Sequence, residues 1–218
     1  MFLYSQLQIR LNTGVLSLFL MKYFFLVLIC GLLSCTNTKK ENEITKSKVI
    51  VIQPLGNFKL DQANKVLIQI KEINPNVILK PNISFPENSY YKPRNRYRAD
   101  SIIKSLRNNI GNDSVIVALS NFDISTTKNG IKDWGIMGLG YRPGKSCVVS
   151  DFRMAKKNRD QQFYKVVFHE LGHTEGLSHC KTKTCLMRDA EGGNHLDEEN
   201  DFCDSCKSFL VKKGWNLI

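Results

Sequence analysis

The chain has 218 residues, 42% of them hydrophobic and 23% charged, which suits one packed domain with appendages and excludes a disordered chain. No heptad pattern, collagen-like period or internal repeat runs through it. A net charge of +11 admits nucleic acid or an anionic surface as a partner, and seven cysteines, an odd number, exclude a fully paired disulfide framework.

Residues 21–35 read MKYFFLVLICGLLSC. A Met-Lys pair, a short apolar run and a small residue before cysteine are the marks of a signal peptide, and the run is too short for a membrane span. Leu32-Leu33-Ser34-Cys35 resembles the lipobox of bacterial lipoproteins. That resemblance implies lipidation of Cys35, cleavage just before it, and a membrane-anchored protein of the cell envelope facing the periplasm or the cell surface. Residues 1–34 are then the signal, with Met21 as the true start and Cys30 inside the removed core. The competing readings are an uncleaved N-terminal helix and a cytoplasmic protein. Cleavage leaves a net charge of +9, of which residues 36–110 hold +8 and residues 111–218 only +1.

Residues 35–47 are polar and aperiodic, a flexible tether, and 48–218 are read as the folded domain. Lys48–Pro54 is a β-branched run that predicts a buried strand. Leu60–Ile73 carries apolar residues at helical spacing, with Asp61 in the first turn. Asn76–Lys80 predicts a second strand, Ala99–Ile110 a second helix and Ser114–Ser120 a third strand. Ile136–Tyr141 and Cys147–Ser150 read as a hairpin around Arg142-Pro143-Gly144-Lys145. Asp160–Leu177 predicts one long helix. Alternating strands and helices closed by a hairpin indicate an α/β fold with a mixed sheet.

Three of the four histidines fall within residues 169–179, HELGHTEGLSH. His169 and His173, four apart on a helix, present both imidazoles to one ion. Glu170 is rotated beside that ion, where a carboxylate can take a proton from an activated water. Gly176 suits a left-handed helix stop, and the turn brings His179 back as a third ligand. Three ligands leave one position open, the arrangement of a catalytic zinc. The spacing His-Glu-x-x-His-x-x-Gly-x-x-His is the extended zincin pattern.

Four cysteines follow: Cys180, Cys185, Cys203 and Cys206. Two pairs across a 17-residue gap suit a tetrahedral thiolate zinc, although an oxidising compartment also allows disulfides, and Cys203 with Cys206 a redox pair. With HELGHTEGLSH, the run Cys180-Lys-Thr-Lys-Thr-Cys185-Leu186-Met187 and the distal Cys203-x-x-Cys206 resemble the archaemetzincin family of zinc peptidases. Met187 to Cys203 is a slightly short gap for that family. Segments 90–106 and 140–154 are also similar to family segments. The resemblance implies a metzincin-like single domain with a mixed twisted sheet, a zinc-binding helix and a small Cys-rich C-terminal subdomain. It further implies a catalytic zinc on His169, His173 and His179, Glu170 as general base and acid, and a structural zinc on the four cysteines. Met187 would occupy the methionine turn below the catalytic metal.

The expected function is zinc-dependent peptide hydrolysis by a lipid-anchored monomer, with a peptide or protein substrate, two zinc ions per chain and an edge strand at 135–141 holding the substrate. A catalytically silent binding or sensing module is the alternative, which the intact Glu170 disfavours. Cys147 is read as a small buried strand residue, His195 as solvated, and Tyr90–Arg98 as a solvated loop rather than a nucleic-acid surface.

Overall fold

The computed structural model describes residues 47–217. The expected signal peptide at 1–34, Cys35 and nearly all of the expected tether at 35–47 lie outside the described residues.

Strand β1 (Val49–Pro54) leads into helix α1 (Leu60–Ile73), which ends at the limits its apolar spacing predicts. Strand β2 (Val77–Leu79) follows, then two short strands, β3 (Tyr90–Tyr91) and β4 (Arg96–Arg98), and helix α2 (Ala99–Arg107). After β5 (Ser114–Ser120) come β6 (Ile124–Lys128), β7 (Ile131–Ile136), β8 (Gly138–Gly140) and β9 (Ser146–Ser150). The long helix α3 (Arg159–Glu175) carries the histidine motif, and α4 (Asp204–Lys212) closes the described chain.

Five strands form the main sheet in the order β2-β1-β5-β9-β8. The first four run parallel, and β8 pairs antiparallel with β9 at the edge. Period-2 alternation divides the sheet residues between two cores. Ile50, Ile52, Val115, Val117, Cys147 and Val149 join the core that includes α1 and α3. Val51, Ile116, Ala118 and Val148 join the one that includes α2. Helices on both faces explain why these strands are apolar runs.

A second sheet, β3-β4-β6-β7, corrects two expectations. Tyr90–Arg98 is not a solvated loop. Tyr90 and Tyr91 pair with Tyr97 and Arg96, and the guanidinium of Arg96 is largely buried between Asp123 (3.0 Å) and Asp133 (3.1 Å). Arg153 forks onto the same Asp123 at 2.7 and 2.9 Å. Arg96 and Arg153 are held by carboxylates distant in sequence, so Arg96 is structural, while Lys92, Arg94 and Asn95 of the same segment remain exposed. The proposed edge strand 135–141 is divided: Gly135 and Ile136 end β7 of the small sheet, and Gly138–Gly140 form the main sheet's edge.

Residues 188–202 fold against α3. Lys165 Nζ donates to the carbonyls of Leu196 and Glu199, both at 2.6 Å, and Gln162 donates to Asp197 at 2.9 Å. These bonds pull Glu199 inward until its side chain is only 3% exposed. Its Oε2 is buried without a hydrogen-bond partner. Burial, partly opposed by Lys165 and Arg188, pushes its carboxyl from 4.5 up to about 7. The folded chain therefore binds this proton more tightly than the unfolded chain. Ionisation costs stability as pH rises from 4.5 through 7, and the whole penalty is present above that window. Glu199→Gln should raise the melting temperature at pH 8, by an amount equivalent to roughly 2–3 kcal/mol, and give no gain at pH 4. Thermal unfolding of both proteins at the two pH values checks this.

Candidate metal centre and active-site cleft

Helix α3 sits on β8 and β9 with Phe163, Val166, Val167 and Leu171 buried toward the sheet. That orientation fixes the direction of every polar residue in its last two turns. The helix stops at Gly176, whose φ of 115° is left-handed, as the motif predicts, and whose N–H reaches back to the carbonyl of His173 at 2.9 Å. The chain then turns and returns His179 to the imidazoles of α3.

Each of the three rings is held through its Nδ1. His169 Nδ1 lies 2.6 Å from the carbonyl of Leu186, and His173 Nδ1 lies 2.7 Å from that of Leu177. His179 Nδ1 lies 3.0 Å from Asp189 Oδ2. Carbonyl and carboxylate oxygens only accept, so each Nδ1 carries the proton and each Nε2 keeps a bare lone pair. The three rings offer ligand atoms within 4.8 Å of one another, and His173 Nε2 and His179 Nε2 are 3.3 Å apart. Two donors on a tetrahedral ion with bonds of ~2.0–2.1 Å would be separated by about that much. The donor set fits zinc. Burial, reinforced by His173, holds the His169 imidazole down at about 3, so it is neutral and able to ligate. The N–H of Glu191 and His179 hold the Asp189 carboxyl below its usual range.

Glu170 lies on the neighbouring strip of α3 and is 6% exposed. Its carboxylate is pressed against the glycines of β8. A methyl group on Gly138 would stand 2.5 Å from Glu170 Oε1, and one on Gly140 would stand 3.0 Å from the Glu170 carbonyl. Only a strand without side chains admits the carboxylate there. Burial pushes this carboxyl up to about 8. A dication on the adjacent imidazoles opposes that shift by Coulomb attraction.

Below the histidines, Met187 is fully buried. Its Sδ comes within 2.7 Å of where a Cβ on Gly172 would sit, so Gly172 lets the methionine pass under the helix.

The four cysteines converge as the second group of candidate ligands. Cys180 and Cys203 sulfurs are 3.7 Å apart, Cys185 and Cys206 sulfurs 3.8 Å, and all four lie within 4.8 Å. None of them is disulfide-bonded. The edge of a tetrahedron with bonds of ~2.3 Å is ~3.8 Å, so this set also fits zinc. Cys147 is buried in β9, as expected, and apart from this group.

An open cleft of about 1040 Å³ runs over the imidazoles. One wall is Trp134 to Gly140, the other Asp189 to Leu196. Its rim includes His195, which is half-buried near Glu198 rather than solvated. The composition of the acidic, glycine-containing loop suggested solvent, but its anchoring to α3 was not legible. Sequence reasoning also missed Asp189 and Glu199. Asp189, two residues after Met187, could have been found as a short polar residue close to a required turn. Nothing local to Glu199 marks it.

The sequence model of peptidase family M54 matches residues 61–212. The archaemetzincin of Natronomonas pharaonis is 30% identical over 139 residues, covering 58% of this chain and 78% of the relative. That of Methanopyrus kandleri is 28% identical over 139 residues, covering 62% and 77%. Among solved structures, the archaemetzincin of Methanopyrus kandleri superposes with a TM-score of 0.64 at 23% identity, covering 78% of this chain and 96% of that one. The archaemetzincin of Archaeoglobus fulgidus, complexed with malonate, gives 0.60 at 23% identity, covering 73% and 98%. Helix, cleft and histidine donors thus sit on a fold shared with these proteins, and the chain belongs to peptidase family M54 as a zinc metallopeptidase of archaemetzincin type.

Proposed function

We propose that the chain hydrolyses peptide bonds at His169, His173 and His179, with Glu170 as general base and acid, and that a second, structural zinc is held by Cys180, Cys185, Cys203 and Cys206. The observation that carries the reading is the convergence of three bare Nε2 lone pairs beside a carboxylate lodged in a glycine-lined slot. His169, His173 and His179 would hold the zinc, which would supply Lewis acidity toward the scissile carbonyl and a water. Glu170 takes the proton from the attacking water and carries it to the leaving amine. Leu186, Leu177 and Asp189 keep the rings aimed inward, so no reorientation is needed during turnover. The edge strand β8 pairs with the backbone of an extended substrate, as exposed strand edges do. The resemblance of Leu32–Cys35 to a lipobox supports anchoring of the mature chain on the outside of a membrane through a tether at 35–47, where it would act as a monomer.

Glu170→Gln should keep two zinc ions per chain by elemental analysis and lose cleavage of a peptide library by at least about a hundredfold, the range of general-base contributions. Cleavage at the wild-type rate would overturn the mechanism, and one zinc with oxidised cysteines would overturn the second site. Gly138→Ala should displace the Glu170 carboxylate and lower kcat by roughly tenfold to a hundredfold while zinc content stays unchanged. Cys35→Ala should abolish incorporation of radiolabelled fatty acid and release the protein from membranes on fractionation.

A further inference from the structure

Glu199 is the one buried carboxylate in the cleft with no role in the reaction above. Neither of its oxygens has a hydrogen-bond or ion-pair partner among the described residues, and Oε2 is closed off from solvent. The residue lines the cleft and also a smaller cavity of about 410 Å³ behind α3. It therefore forms a partition between the two.

Its position relative to the chemistry is set by Lys165. That lysine stands four residues before His169 on α3, about 6 Å along the helix axis, and holds the Glu199 carbonyl at 2.6 Å. Val166, three residues before His169 on α3, and Leu196, whose carbonyl Lys165 also holds, are buried apolar residues of the same cleft lining. An acid set beside apolar side chains in the cleft lining fits a side chain with a hydrocarbon stem and a cationic head. The cations already nearby oppose its burial by Coulomb attraction but do not pair with it: Lys165 is held by the two carbonyls and Arg188 by Glu198 at 2.7 Å.

We propose that Glu199 is a specificity-determining residue, the anionic floor of a subsite that receives a lysine or arginine side chain of the peptide next to the bond being cut. The incoming ammonium or guanidinium supplies the partner that the fold withholds. A buried carboxylate without a partner destabilises the chain, and a ligand that pairs with it recovers that loss on binding. The proposal rests on the peptidase reading for its substrate but not for its test.

The test uses zinc-loaded full chain carrying Glu170→Gln and calorimetric titration with hexapeptides. The peptides differ only by lysine, arginine, glutamine or norleucine, placed at each position in turn. At one position lysine or arginine should bind roughly tenfold tighter than norleucine, as expected for a desolvated charge pair. Adding Glu199→Gln should erase that preference. Glu199→Thr serves as a second variant, with near-ultraviolet circular dichroism confirming the fold of each. Equal binding of all peptides, no binding of any, or a cationic preference that survives both substitutions would overturn the subsite. Wild-type cleavage of the same peptides is scored separately. Selective binding without cleavage would sink the peptidase reading and keep the subsite, and cleavage indifferent to lysine would do the reverse.

Discussion

The hydrogen bonds at the three Nδ1 atoms are the constraint on which the rest of the site depends. An imidazole free to rotate or to change tautomer is a weak ligand, because ordering it costs entropy each time a metal binds. Here two main-chain carbonyls and one carboxylate hold the rings beforehand. Two of the acceptors are remote in sequence from the rings they serve, Leu186 from His169 and Asp189 from His179. Leu186 and Asp189 belong to the segment that follows the first cysteine pair, and they are presented only because that segment is folded back on α3.

That dependence joins the two candidate metal groups. Cys185 immediately precedes Leu186, whose carbonyl steadies His169. The N–H of Cys180 binds the carbonyl of Met187 at 2.7 Å, and the N–H of Leu186 binds that of Asp201 at 3.0 Å. The cysteine cluster therefore clamps a short stretch that supplies a ring acceptor and places Met187 under Gly172. Loosening the clamp would disturb the histidines without touching them. The pairing of a rigid helix with a stapled return segment gives a reactive centre the preorganisation that loops alone do not provide.

Much of this was legible in the sequence, and the rest fails for identifiable reasons. Apolar spacing placed α1 within its observed limits because its buried stripe, Ala63, Val66 and Ile70, has helical period. The strand Ser114–Ser120 was equally plain, being covered on both faces. Histidine spacing picked out three rings that do converge, because a helix converts a four-residue interval into a shared face. The small sheet escaped because Arg96 and Arg98 look like solvent residues until Asp123 and Asp133 are brought to the first of them. Asp189 and Glu199 escaped for the same reason. A carboxylate's environment is set by tertiary partners, and no period in the chain announces them.

The glycines of β8 have one more consequence. Gly138 and Gly140 make room for the Glu170 carboxylate, and in doing so strip the strand of side chains at those two positions. A peptide lying along that edge meets a bare ribbon there, able to grip any main chain and indifferent to what the main chain carries. On the proposed reading, discrimination among substrates would fall to the facing wall, residues 189–199. The division would leave that wall free to diverge in composition, since altering it need not disturb the slot in which the Glu170 carboxylate rests.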